Sequence, residues 1–272
     1  MPTDHAALRK KIASQTVIAP GVFDGLSARL ADSAGFDALY LSGYGVSASQ
    51  LAKPDNGFLT LPDMQMRIET ICAAISTPLI ADADTGFDDI GAAVLAYEEA
   101  GAAGIQIEDQ QLPKICGHIS GREVIARADA VARITDAVAA RQDADFLIVA
   151  RTDAREQSGI DEAIERGRLF AEAGADILFI ESPESEDEFR QIGAALGSMP
   201  LLANMVEGGR SPLIPRTKLV EMGFNFIIYP IAAMAASAAA LHAAYQHLLD
   251  GEPSGQRVSF QELSNMVGFP EK

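Results

Sequence analysis

Positive charge is scarce in this chain of 272 residues: 21 lysines and arginines face 38 aspartates and glutamates, a net charge of −17. Such a surface repels nucleic acid and anionic membranes, so neither is an expected partner. Cysteine is scarcer still. Only Cys72 and Cys116 occur, and the opening residues lack a charged segment followed by an apolar core and a small-residue cleavage site, which fits a reduced, cytoplasmic setting. Formal charge is also missing between Phe224 and Tyr245, a stretch long enough to suggest a membrane span by length alone. Asn225, Pro230, Ser237 and His242 interrupt it and alanine dominates it, so it reads as a short buried strand followed by a helix of small side chains. No linker, low-complexity tract or break in composition divides the chain, which is expected to form one domain over residues 1–272.

Short β-branched or aliphatic runs alternate with longer helical patterns, the signal of a parallel sheet with crossover helices. Strands are predicted near Val17 to Val22, Ala38 to Ser42, Leu79 to Asp82, Gly104 to Glu108, Phe146 to Arg151, Ile177 to Glu181, Leu201 to Asn204 and Phe226 to Tyr229. Gly-Phe-Asp, Gly-Ala-Ala-Gly, Gly-Ala-Asp and Gly-Phe-Asn precede several of them, as where helices end in a left-handed glycine. Eight βα units in a chain of this length favour a closed (β/α)8 TIM barrel over an open sheet, and in such barrels the active site lies at the carboxyl ends of the strands.

Polar residues gather at those predicted ends: Asp24, Ser42 and Gly43, Asp82 and Asp84, Glu108, Arg151 and Asp153, Glu181, and Asn204 with Glu207. Asp24 and Asp153 serve as readily for capping the following helix as for function. The remainder are too acidic for that role alone. Converging carboxylates repel unless protons or a cation intervene, and hard divalent ions prefer oxygen ligands, so a Mg²⁺ or Mn²⁺ site is expected. After strand four comes Pro113 to Gly121, P-K-I-C-G-H-I-S-G, which sets a cysteine beside a lysine and a histidine in a glycine-punctuated loop. There Cys116 reads as a reagent, whereas Cys72, in the helical stretch Ile68 to Ile75, reads as core packing.

Six ordered segments resemble the isocitrate lyase/phosphoenolpyruvate mutase superfamily: Tyr40-Leu-Ser-Gly-Tyr-Gly45, Asp82-Ala-Asp-Thr-Gly86, Ile107-Glu-Asp-Gln110, Lys114-Ile-Cys-Gly-His118, Ala150-Arg-Thr-Asp153 and Ala203-Asn-Met-Val-Glu-Gly-Gly209. The resemblance implies that Asp84 contacts Mg²⁺ most directly while Asp55, Asp82 and Glu108 hold its waters. It also implies that Ser42, Gly43, Tyr44 and Arg151 hold a substrate carboxylate, with Gly117 and Asn204 beside them, and that the Lys114 to His118 loop closes over the site. The cysteine loop is similar to that of the carbon–carbon lyases, and Ala203 to Pro212 is similar to the branch that includes the 2,3-dimethylmalate lyases, the petal death protein and the oxaloacetate hydrolases. Ile115 stands where the lyases carry a second basic residue, which weighs against a tricarboxylate substrate.

What the resemblance implies is a Mg²⁺-dependent lyase that cleaves a substituted malate to a 2-keto acid such as pyruvate plus a carboxylate. The alternatives on the same scaffold are an oxaloacetate hydrolase or decarboxylase, a methylisocitrate lyase, or a carboxyphosphonoenolpyruvate-type phosphonomutase. Cys116 is the expected acid, since an ordinary thiol, with pKa of about 8.5, carries its proton at neutral pH. The base is left open between Tyr40 and a metal-bound hydroxide or carboxylate. Glu181 could serve catalysis or simply pair with Arg151, and His118 could contact ligand or fold the loop. Arg122 or Arg210 could supply a second carboxylate contact. His5, His242 and His247 read as surface or interface residues, and Glu98, Glu99 and the run Glu184 to Glu188 as solvated helix faces. Family members also exchange their last barrel helix between subunits, so the helix Ala232 to Leu249 is expected at a subunit interface of a homotetramer.

Overall fold

In the computed structural model, which describes residues 5–117, 119–252 and 255–269, eight strands close into a parallel barrel in sequence order. They are β1 (Val17–Val22), β2 (Leu39–Leu41), β3 (Leu79–Asp82), β4 (Gly104–Glu108), β5 (Leu147–Thr152), β6 (Ile177–Ile180), β7 (Leu201–Asn204) and β8 (Phe226–Tyr229). Five of these coincide with the predicted bounds; β2, β5 and β6 differ by a residue at one end or both. Pairing of Val17 with Phe226 and of Ile18 with Ile227 closes the ring between β1 and β8.

The helices are α1 (His5–Ser14), α2 (Gly25–Ser33), α3 (Gly43–Val46), α4 (Leu61–Cys72), α5 (Ile90–Glu99), α6 (Arg127–Ala140), α7 (Ala154–Ser158), α8 (Ile160–Glu172), α9 (Glu186–Leu196), α10 (Arg216–Glu221), α11 (Ala232–Leu249) and α12 (Phe260–Met266). A π-helical turn, Ser47–Leu51, follows α3. The glycines predicted to end helices, Gly35, Gly101, Gly174 and Gly223, all have positive φ, the conformation that lets a chain leave a helix without a Cβ clash.

Two separate apolar clusters follow from the period of two along each strand. One fills the barrel: Val17, Ala19, Tyr40, Ile80, Val149, Ile177, Phe179, Leu202, Phe226 and Ile228, joined from outside the ring by Leu8 and Ile12 of α1. The other, built on Leu39, Leu41, Ala81, Ile105, Ile107, Ile148, Ala150, Leu178, Ile180 and Ala203, packs the outer strand faces against the helices. Carried one or two steps further along each strand, the inward parity reaches Ser42, Asp82, Asp84, Arg151, Glu181 and Asn204. The polar residues of the mouth are thus the continuation of the barrel interior.

Of the described residues, no helix is long and apolar enough to cross a membrane. None of the residues of α11 is buried, and Leu241, Tyr245, Leu248 and Leu249 stand exposed along it. Near the other end of the barrel, α9 approaches the turn after α10 so closely that a Cβ on Gly193 would sit 1.7 Å from the carbonyl oxygen of Met222. Gly193→Ala should therefore cost about 1–3 kcal/mol by forcing the two backbones apart. Its denaturant midpoint should fall at unchanged slope; an unaltered midpoint would contradict this packing.

Candidate active site

At the carboxyl ends of the strands lies a cavity of about 270 Å³, bounded by Tyr40, Ser42, Tyr44, Asp55, Asp82, Cys116, Gly117, Arg151, Glu181, Asn204 and Glu207 and by the apolar side chains Ile119, Phe179, Val206, Ile228 and Ile231. That volume suits a small acid rather than a drug-sized ligand, whose pockets occupy about 300–1,000 Å³. Most of the predicted site residues meet here. Gly43, Asp84, Glu108 and Lys114 stand behind the wall, and His118 lies outside the described residues.

The carboxylates are held in a connected lattice. Asp82 accepts from the backbone N–H of Gly43 at 3.3 Å and of Asp84 at 3.2 Å, and from Gln106 Nε2 at 2.9 Å. Gln106 in turn accepts the Tyr40 hydroxyl at 2.5 Å. Burial, reinforced by Asp82, holds the Tyr40 pKa well above 10, so this phenol keeps its proton at neutral pH and acts as a donor. Gln106, fully buried inside the barrel, escaped the reading of the sequence because it lies in mid-strand rather than at its end.

Lys114 Nζ lies 2.7 Å from Asp55 and also contacts Asp84. Burial opposes charge on this ammonium, but Asp84 and Asp55 outweigh it and keep its pKa well above the ordinary value. Burial likewise pushes the Asp84 carboxyl up to about 7, against the pull of Lys114, and raises Asp82 and Glu108. Glu108 Oε1 is buried with no hydrogen-bond partner among the described residues. Those residues contain no three side chains of His, Cys, Asp or Glu already closed into a ligand set. The donor chemistry nonetheless fits a hard divalent cation: four carboxylates, Asp55, Asp82, Asp84 and Glu108, one of them with an orphaned oxygen, whose mutual repulsion calls for positive charge.

Arg151 anchors the opposite charge. Its guanidinium forks onto Asp153 (Nε to Oδ2 3.0 Å, Nη2 to Oδ1 2.9 Å), reaches Glu108 at 3.3 Å and Glu181 at 3.5 Å, and lies over the Phe179 ring. Glu181 also accepts from Asn204 Nδ2 at 3.1 Å and from the backbone N–H of Ser182 at 2.7 Å. Ser182 was missed by sequence reasoning. It takes a positive φ of 57°, and its hydroxyl donates to the Gly117 carbonyl at 3.0 Å, tying the cysteine loop to the end of β6. Gln110 holds the same loop from its other side, bonding both the N–H and the C=O of Ile115 at 3.0 Å.

Geometry decides what the sequence left open: Asp24 is a helix cap, its carboxylate accepting from Ser27 N–H, whereas Asp153 makes no side-chain cap and binds the arginines. Neither Arg122 nor Arg210 lines the cavity: Arg122 is bound to Asp153 and Glu156, and Arg210 to Glu156, Glu184 and Ser120. Cys72 is packed against the core, and burial pushes its thiol up to about 12.

A closed (β/α)8 barrel whose mouth combines buried carboxylates, a buried lysine and arginine, and a loop-borne cysteine has the arrangement of an enzyme active site. The profile of the family described as phosphoenolpyruvate phosphomutase matches residues 7–249, and the chain belongs to this family, within the phosphoenolpyruvate mutase/isocitrate lyase superfamily. It is 45% identical over 260 residues to 2,3-dimethylmalate lyase of Eubacterium barkeri, covering 93% of this chain and 90% of that one. It is 44% identical over 237 residues to 2-methylisocitrate lyase of Aeropyrum pernix, covering 86% and 76%. Among solved structures it resembles 2,3-dimethylmalate lyase with a TM-score of 0.93 at 40% identity, covering 98% of this chain and 92% of that one. Oxaloacetate acetylhydrolase in complex with 3,3-difluorooxalacetate matches with a TM-score of 0.93 at 36% identity, covering 98% and 94%. Phosphonopyruvate hydrolase in complex with oxalate and Mg²⁺ matches with a TM-score of 0.87 at 30% identity, covering 98% and 95%.

Gly117 lies flat against Arg151: a Cβ there would stand 2.3 Å from Nη2 and 3.1 Å from the Glu181 carboxylate. Gly117→Ala should lift the loop and displace Arg151, lowering kcat/KM by about 10²-fold, the scale of a 1 Å misplacement, with little change in Tm. Unaltered kinetics would show that the loop does not seat in this way.

Proposed function

We propose that the protein is a carbon–carbon lyase that cleaves a malate substituted at carbons 2 and 3, of the 2,3-dimethylmalate type, to pyruvate and a short carboxylate. The observation that carries this reading is Cys116 on the wall of the same cavity that Ser42, Asp82 and Arg151 line. Similarity to a 2,3-dimethylmalate lyase over nearly the whole chain supports it. Val206, Ile228 and Ile231 give that wall apolar surface suited to methyl groups.

Arg151, with Ser42 and Tyr44, holds the carboxylate next to carbon 2, and Asn204 and Gly117 complete the grip, while Gly43, behind the wall, holds Asp82 through its N–H. A divalent cation, Mg²⁺ or Mn²⁺, would be held by Asp84 with Asp55, Asp82 and Glu108 around it, and supplies Lewis-acid stabilisation of negative charge on substrate oxygen. The 2-hydroxyl proton passes to a carboxylate of the barrel mouth, since Tyr40 keeps its own proton; carbon 2 becomes a ketone and its bond to carbon 3 breaks. The electron pair passes to carbon 3 and spreads into the neighbouring carboxylate. Cys116 donates its proton to carbon 3, giving propionate beside pyruvate in the case of 2,3-dimethylmalate. Tyr40, held protonated, orients Gln106 and through it Asp82. Lys114 keeps Asp55 and Asp84 together and carries positive charge into the site as the loop seats. The loop excludes water while the carbanionic charge exists.

The protein works in the cytoplasm as a homotetramer of helix-exchanged dimers. Support comes from α11, which leaves Leu241, Tyr245 and Leu248 exposed and buries none of its own residues. Sedimentation at micromolar concentration should give about four times the chain mass. A stable, active monomer would remove helix exchange.

The reaction is tested by incubating enzyme and Mg²⁺ with 2,3-dimethylmalate, 2-alkylmalates, methylisocitrate and oxaloacetate, and measuring keto-acid release and acetate. Pyruvate plus propionate from dimethylmalate is the expected result, abolished by EDTA and restored by Mg²⁺ or Mn²⁺. Cys116→Ser should lower turnover by about 10²-fold or more with substrate binding nearly intact. Oxalate and acetate from oxaloacetate, with no cleavage of the malates, would replace the lyase reading by a hydrolase.

A further inference from the structure

Arg122 and Asp153 are buried charged residues that do not themselves line the cavity, and the reaction as proposed gives them nothing to do. Their cost is real. The Arg122 side chain has no exposure, and its Nη2 has no hydrogen-bond partner among the described residues. A buried ion pair rarely adds stability over well-packed apolar groups of similar volume. Stability alone is therefore a weak reason for a guanidinium here, and its contacts suggest a better one.

Asp153 Oδ1 is shared between two arginines: Arg122 Nη1 donates to it at 2.7 Å and Arg151 Nη2 at 2.9 Å, while Arg151 Nε donates to Oδ2 at 3.0 Å. The fork onto Asp153 is what fixes the plane of Arg151, because Glu108 and Glu181 reach the same guanidinium only at 3.3 and 3.5 Å. Asp153 is itself held, its backbone N–H donating to Asp109 Oδ1 at 2.9 Å and its carboxylate gripped by Arg122. Arg122 belongs to the C-terminal stem of the cysteine loop. Its neighbour Gly121 takes a positive φ of 98°, and Glu156 accepts from the Gly121 N–H at 3.2 Å and from Arg122 Nε at 2.8 Å. A continuous path of bonds thus runs from the loop hinge through Arg122 and Asp153 to Arg151.

We propose that Arg122 is a positioning residue which, through Asp153, sets the orientation of Arg151 and makes its hold on the substrate carboxylate depend on the seating of the cysteine loop. The inference rests on the reading that Arg151 binds that carboxylate. With the loop seated, Arg122 neutralises Asp153 and fixes its rotamer, so Arg151 keeps one orientation among three neighbouring carboxylates. With the stem displaced, Asp153 loses that partner and Arg151 is free to turn toward Glu108 or Glu181.

The test uses oxalate as probe, in the presence of Mg²⁺, with the full-length enzyme. Calorimetric Kd, substrate KM and kcat, and protection of the loop from proteolysis by saturating oxalate are measured for wild type, Arg151→Lys, Arg122→Met and Arg122→Lys. Arg122→Met should weaken oxalate and raise KM by about tenfold or more, with a smaller fall in kcat, and should abolish the oxalate-dependent protection; these are changes in binding rather than in chemistry. Arg122→Lys retains the charge but cannot span Asp153 and Glu156 together, so it should raise KM about fivefold even if the Met variant does not fold. Oxalate Kd and KM within about twofold of wild type in Arg122→Lys, while Arg151→Lys weakens both, would overturn the coupling and leave the substrate reading standing. Unchanged oxalate affinity in Arg151→Lys would instead remove the reading on which the coupling rests.

Discussion

Charge burial is the constraint on which the mouth of this barrel depends. Asp82, Asp84, Glu108, Asp153 and Glu181 are drawn out of water by the closure of the sheet, and burial raises the first three of these above their ordinary range. Such a group is tolerable only where positive charge and N–H donors are built in with it. Lys114 answers Asp55 and Asp84 on one side, and Arg151 answers Glu108, Glu181 and Asp153 on the other. The site is therefore an electrostatic assembly before it is a binding pocket, and its cost is carried by the apolar layers beneath and around it.

The cysteine loop belongs to that assembly as much as the strands do. It carries Lys114 into the carboxylates and lays Gly117 against Arg151. It also accepts Ser182 at its turn and ends in Arg122, which is buried under the arginine site. Moving the loop therefore moves charges that the strand ends need. The position of the loop, the charge balance of the mouth and the placing of Cys116 on the cavity wall are therefore set together.

The network behind the wall has a second tier. Asp109, one residue beyond β4, accepts from Thr152, from the Asp153 N–H and from Arg166 of α8. It thereby fixes the ends of β4 and β5 to each other and to the outer helical ring. Such bonds do no chemistry, but they hold Glu108 and Arg151 at adjacent strand ends, where small displacements are costly to catalysis.

The strands, their order and the acidic strand ends were legible in the sequence because they follow from local patterns: apolar runs of strand length, left-handed glycines, and polar residues where runs stop. Cys72 was legible for the same reason, since packing is decided nearby, whereas Asp24 stood open between capping and function until its carboxylate was seen to accept from Ser27 N–H. Gln106, Ser182, Asp153 and Arg122 were not. Gln106 gains its meaning only from Tyr40 on another strand, Ser182 from the Gly117 carbonyl, and Asp153 from arginines on β5 and on the loop stem. The sequence by itself determined the barrel and which chemical groups would stand at its mouth, because a period of two along a closed sheet sends every second residue inward. Only the tertiary structure decided which carboxylate faces which cation, because that pairing is set by distances between strands and loops far apart along the chain.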